Sequence, residues 1–84
     1  MEINNQRRNL IILRCGKNSL HKKWISSNAN FDLFLLPYEN FKAKTEKNCT
    51  LFPLMPGQKW PAISKFIKEN INSVSKYDFI MLPD

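Results

Sequence analysis

Lys76-Tyr77-Asp78-Phe79-Ile80-Met81-Leu82-Pro83-Asp84 closes the chain, and the fold turns on how this stretch is read. Its apolar run has no polar alternation, which predicts a strand buried on both faces, as in a parallel sheet covered by helices. Such a strand delivers Asp84 to its carboxyl end. In open α/β sheets, ligands bind in the crevice beyond the carboxyl ends of the strands, so a carboxylate there is a candidate metal or ligand contact.

Upstream lies the clearest helical pattern, from about Lys59 to Val74. Ile63, Phe66, Ile67, Ile71 and Val74 share one face at helical spacing, with Lys65, Lys68, Glu69 and Asn72 opposite. Pro61 suits the first turn, where a missing N–H does no harm, and Pro56-Gly57 marks the turn before it. Thr50 to Met55 reads as a short extended piece that Pro53 restricts to an edge. Tyr38 to Asn48 is polar and lysine-rich, a surface connection. Phe31 to Leu36 reads as a strand stopped by Pro37, and Ser19 to about Ser27 as a short helix placing Leu20 and Trp24 on the core. Asn9 to Cys15 is a continuous apolar run ended by Gly16, a second candidate for a strand covered on both faces. Residues 1–8 are expected to be flexible.

Strands alternating with helices in this order predict an α/β fold: a small, open, mostly parallel sheet of about four strands with two helices. At 84 residues the chain holds at most one domain. A hydrophobic share of 43% supports a folded core over disorder. Cys15 and Cys49 match no disulfide framework or zinc spacing and read as buried thiols in a reducing compartment. The run after Arg7 and Arg8 is too short for a signal peptide, and nothing approaches the length of a membrane span. The expectation is a soluble, cytoplasmic protein. Asn48-Cys49-Thr50 matches a glycosylation sequon, which without a secretory signal reads as chance.

Thirteen Lys and Arg against seven Asp and Glu give a formal charge of +6, which suits an anionic partner. The basic residues are dispersed, however, and most aromatics fall in apolar runs. A basic nucleic-acid-binding module is therefore the secondary reading, beside a protein-interaction module that associates through an open sheet edge. The loops at the carboxyl ends of the predicted strands bring forward Arg14, Gly16, Lys17 and Asn18, then Tyr38 and Glu39, then Asp84. Lys59 opens the long helix, where anions bind. Each has an ordinary alternative: a solvated lysine, a turn glycine, a terminal carboxylate. Trp60 reads as closing one end of the core.

Three segments together resemble a known family: Asn9-Leu10-Ile11-Ile12-Leu13-Arg14-Cys15-Gly16, Pro56-Gly57-Gln58-Lys59-Trp60-Pro61-Ala62-Ile63 and Tyr77-Asp78-Phe79-Ile80-Met81-Leu82-Pro83-Asp84. In this order they are similar to the N-terminal half of a glycosyltransferase-like family related to the GT-A nucleotide-sugar transferases. The resemblance implies a Rossmann-like GT-A half-domain and a nucleotide-sugar ligand. It also implies a divalent cation, Mg²⁺ or Mn²⁺, held by an aspartate cluster whose first member corresponds to Asp84. In such transferases the cation neutralises charge on the leaving diphosphate. Arg14, Gly16, Lys17, Glu39 and Lys59 would line the ligand side. The later aspartates and the acceptor-binding half have no counterpart here. The expectation is thus a truncated domain, residues 1–84, inactive alone.

Overall fold

The computed structural model of the chain describes residues 7–16 and 21–83. It is a small α/β structure with five strands in one mixed sheet. In chain order the elements are β1 (Asn9–Cys15), a 3₁₀ turn (Lys22–Trp24), β2 (Phe31–Pro37), β3 (Lys44–Glu46), β4 (Cys49–Leu51), α1 (Lys59–Glu69), α2 (Ile71–Val74) and β5 (Phe79–Met81). The strands lie in the order β3-β4-β2-β1-β5. β1 pairs in parallel with β2 over Asn9↔Phe31 to Cys15↔Pro37, and with β5 over Asn9↔Phe79 to Ile11↔Met81. β4 is parallel to β2, and β3 is the one antiparallel strand.

Side-chain alternation along β1 and β2 divides the core between the two faces of the sheet. On one face Leu10, Ile12, Phe34 and Leu36 pack with Ile63, Phe66 and Val74 of the helices and with Tyr77. Phe34 lies edge-on to Phe52, Phe66 and Tyr77 at centroid distances of 5.1, 6.0 and 6.1 Å, the geometry that aromatic quadrupoles favour. On the other face Ile11, Leu13, Cys15, Leu33, Leu35, Cys49 and Leu51 form a second cluster, covered by Ile25, Phe31 and Phe41 rather than by a helix.

Asn48 holds that second cover in place. Its amide is 1% exposed, accepts from Ser26 N–H at 2.8 Å and donates to the Trp24 and Phe31 carbonyls at 3.1 Å. Three backbone groups between two strands are thereby satisfied. The sequon asparagine is consequently closed to modification in the folded chain. At the amino edge, Asp32 accepts from Tyr77 Oη and from Arg7, at 3.3 Å in the latter case. This ties the entry of β2 to the segment that leads into β5.

Several expectations need correction. β5 is not buried: Phe79 is 68% and Met81 58% exposed, because β5 is an edge strand beyond the reach of both covering layers. The long helix is two helices, broken at Asn70, whose side chain turns back to donate to the Phe66 carbonyl at 2.9 Å. That break carries Ile71 out to solvent. The connection between β2 and β4 contains a strand, β3, and the extended piece is Cys49–Leu51 rather than Thr50 to Met55. Between β1 and β2 the described residues form only a 3₁₀ turn, which leaves Trp24 exposed, as is Trp60. Ser19 and Leu20 lie outside the described residues, as do residues 1–6. No helix among the described residues is long and apolar enough to cross a membrane.

Burial raises both thiols, Cys49 to about 11 and Cys15 in the same direction. Burial together with the hydrogen bond to Asp32 raises the Tyr77 hydroxyl. A folded pKa above the unfolded one means full stabilisation below the unfolded value, here 9.0 for the thiols, and loss as pH climbs through the folded value. Urea unfolding followed from pH 7 to 11 is expected to show stability falling from about pH 9, by about 1.4 kcal/mol per pH unit for each thiol that ionises only in the unfolded chain. Cys49→Val makes that slope shallower. Asn48→Ala, which strands the buried backbone groups, costs about 1–3 kcal/mol in the same experiment.

Candidate functional site

Chain direction across the sheet reverses at β1. From β1 the chain moves to β2 and β4 on one side, and α1 and α2 then carry it back to β5 on the other. The carboxyl ends of the four parallel strands therefore share one edge of the sheet, together with the start of α1.

Arg14 dominates this edge. It continues the face of β1 that carries Leu10 and Ile12, so its side chain enters the helix side of the core rather than solvent. It is 7% exposed. Nη2 donates to the Met55 carbonyl at 2.6 Å and more weakly to that of Gly57 at 3.4 Å, and the guanidinium carbon stands 4.1 Å from the centre of the Tyr38 ring. Nε and Nη1 are buried with no hydrogen-bond partner. A cation held this way is costly, since a buried charge needs both a counter-charge and filled donors. Among the described residues its partners are two neutral carbonyls and an aromatic face.

The start of α1 adds to the positive potential. Gln58 provides no side-chain cap, the first turn carries no acidic residue, and the helix dipole leaves its positive end here. Gly57 precedes it at φ 104°, a left-handed conformation in which a side chain would be strained. Lys59 donates to the Pro83 carbonyl at 3.2 Å, joining the helix to the end of β5, and its ammonium lies 4.5 Å from the centre of the Trp60 ring. Tyr38 N–H donates to the Cys15 carbonyl at 2.9 Å, which holds the ends of β1 and β2 together.

Of the residues singled out from sequence, Arg14, Gly16, Glu39 and Lys59 all belong to this edge. Glu39 follows β2 and acts electrostatically on the Cys15 thiol. Lys17, Asn18 and Asp84 lie outside the described residues. Tyr38, brought forward with Glu39 after β2, also belongs to this edge, whereas sequence reasoning did not place the Met55 and Gly57 carbonyls in the site. The signal for Arg14 pointing inward was its parity with Leu10 and Ile12.

Among the described residues no group of three or more His, Cys, Asp or Glu could hold a metal ion. At the carboxyl edge Glu39 is the one described carboxylate, against two basic residues, Arg14 and Lys59, and a helix amino end. That donor set does not fit a divalent cation. It fits an anion. No family model, curated protein or solved structure matches the chain.

A buried cation retained for a ligand should add nothing to stability. Arg14→Met is therefore expected to leave urea-unfolding stability unchanged or raise it by about 1–3 kcal/mol. A loss of about 3 kcal/mol or more would mean that Arg14 serves the fold alone.

Proposed function

We propose that the carboxyl edge of the sheet binds the diphosphate of a nucleotide sugar, the ligand class implied by the resemblance to GT-A transferases. The observation that carries this reading is the buried guanidinium of Arg14, with Nε and Nη1 unpartnered beside the uncapped start of α1. A phosphate would supply the missing acceptors, in the bidentate geometry a guanidinium prefers.

The guanidinium is covered by the segment whose Met55 and Gly57 carbonyls accept from it. Anion entry therefore exchanges these carbonyls for phosphate oxygens, as the segment between Phe52 and Gly57 lifts. Two hydrogen bonds hold that segment to β2, from Phe52 N–H to the Leu35 carbonyl and from Met55 N–H to the Pro37 carbonyl, each 3.0 Å. The Tyr38 ring, its centre 4.1 Å from the guanidinium carbon, is half-exposed, which suits stacking of a base or sugar. Lys59 would add a second positive charge, as a point charge rather than a fork.

Isothermal titration with UDP, GDP and inorganic pyrophosphate tests the reading. All three are expected to bind, with affinity falling as salt rises. Arg14→Met weakens binding by about tenfold to a hundredfold and Lys59→Gln by a smaller factor, both with unchanged circular dichroism. No binding by the wild type, or equal binding by Arg14→Met, would rule the diphosphate site out. Nucleosides binding as tightly as their diphosphates would do the same.

A further inference from the structure

Among the described residues β5 presents a bare edge. Its inner side pairs with β1 through Asn9↔Phe79, Leu10↔Ile80 and Ile11↔Met81, and no described strand pairs with its outer side. Four consecutive large apolar residues, Phe79, Ile80, Met81 and Leu82, are exposed there. They cover both faces of the sheet: Ile80 follows Leu10 on the helix side, and Phe79 and Met81 follow Asn9 and Ile11 on the opposite side. Edge strands of stable monomers carry charges, prolines or bulges that prevent pairing. Over these four residues β5 has none of them.

We infer that β5 pairs antiparallel with β5 of a second copy, about a twofold axis at Ile80, making one continuous ten-stranded sheet. A twofold interface must complement itself, and this strand does. Residues 79–82 carry no charge in a chain whose formal charge is +6, so two copies meet here without like charges in contact. With Ile80 opposite its counterpart, Phe79 lies opposite Met81 of the second copy, apolar against apolar on the same face. Asp78 lies opposite Leu82, one residue from Pro83, where the Lys59 ammonium is held.

Asp78 and Lys59 are thus opposite charges at the two ends of the shared strand, both on the helix side. Asp78 is half-exposed and is paired within its own chain to Arg8, which is itself almost fully exposed, so it remains accessible from across the interface. Antiparallel pairing sets each copy's acid toward the other's base; a parallel arrangement would set acid beside acid. A partner of strong charge, such as nucleic acid, finds nothing to bind on residues 79–82. The strand is short, so the area buried falls at the low end for specific association, and the dimer dissociates in the micromolar range or above.

Light scattering on the full chain over about 1 µM to 1 mM is expected to show the mass rising from 9.9 kDa to twice that value and no further. Phe79→Glu and Met81→Lys each keep the chain monomeric across the series, with unchanged circular dichroism because both side chains point to solvent. Combining them restores the dimer, since the new acid faces the new base of the other copy. A wild type that stays monomeric at every concentration overturns the inference. So does growth beyond two copies, a single variant that still dimerises, or a double variant that does not recover.

Discussion

The parallel ladder between β1 and β2 is the interaction on which the rest of the structure depends. Seven residue pairs run from Asn9↔Phe31 to Cys15↔Pro37, with apolar side chains on both faces. The helix layer and the loop layer each need the pair as a floor, and β5 joins the sheet through β1. Parallel pairs are stable only when covered on both sides, so the chain must supply two covers. It does so unequally: the helix pair on one face, and on the other a 3₁₀ turn and loops fixed by Asn48.

That inequality explains what could be read from sequence. The apolar runs Asn9 to Cys15 and Phe31 to Leu36 announce themselves as doubly covered strands because every residue has somewhere to go. The long helix was legible from its stripe, but its break was not, because Asn70 ends α1 by folding its own amide back onto the Phe66 carbonyl. Ile71 then leaves the stripe. β3 was hidden because its three residues are charged or polar and all exposed, so burial imprinted no alternation. β5 misled for the opposite reason, since an apolar strand at an edge has the same composition as one at a centre.

The candidate site was legible in part. Strand ends and a helix start identify a carboxyl edge in any α/β chain, and Arg14, Gly16, Glu39 and Lys59 followed from that. The inward turn of Arg14 depends on parity, and its missing partners depend on where Met55 and Gly57 settle, which no local pattern encodes. Dispersed charge gave no hint that Arg14 would sit inside the fold.

The pairing of β1 with β5 joins segments that lie 70 residues apart in the chain, as Arg8 and Asp78 do. Closing so long a loop is entropically slow compared with forming the helices it encloses. During synthesis, therefore, one whole side of β1 waits without hydrogen-bond partners until Phe79–Met81 have left the ribosome. Until that segment emerges the nascent chain holds a half-made sheet, and Phe79–Met81 are the residues that complete its pairing on this side of β1.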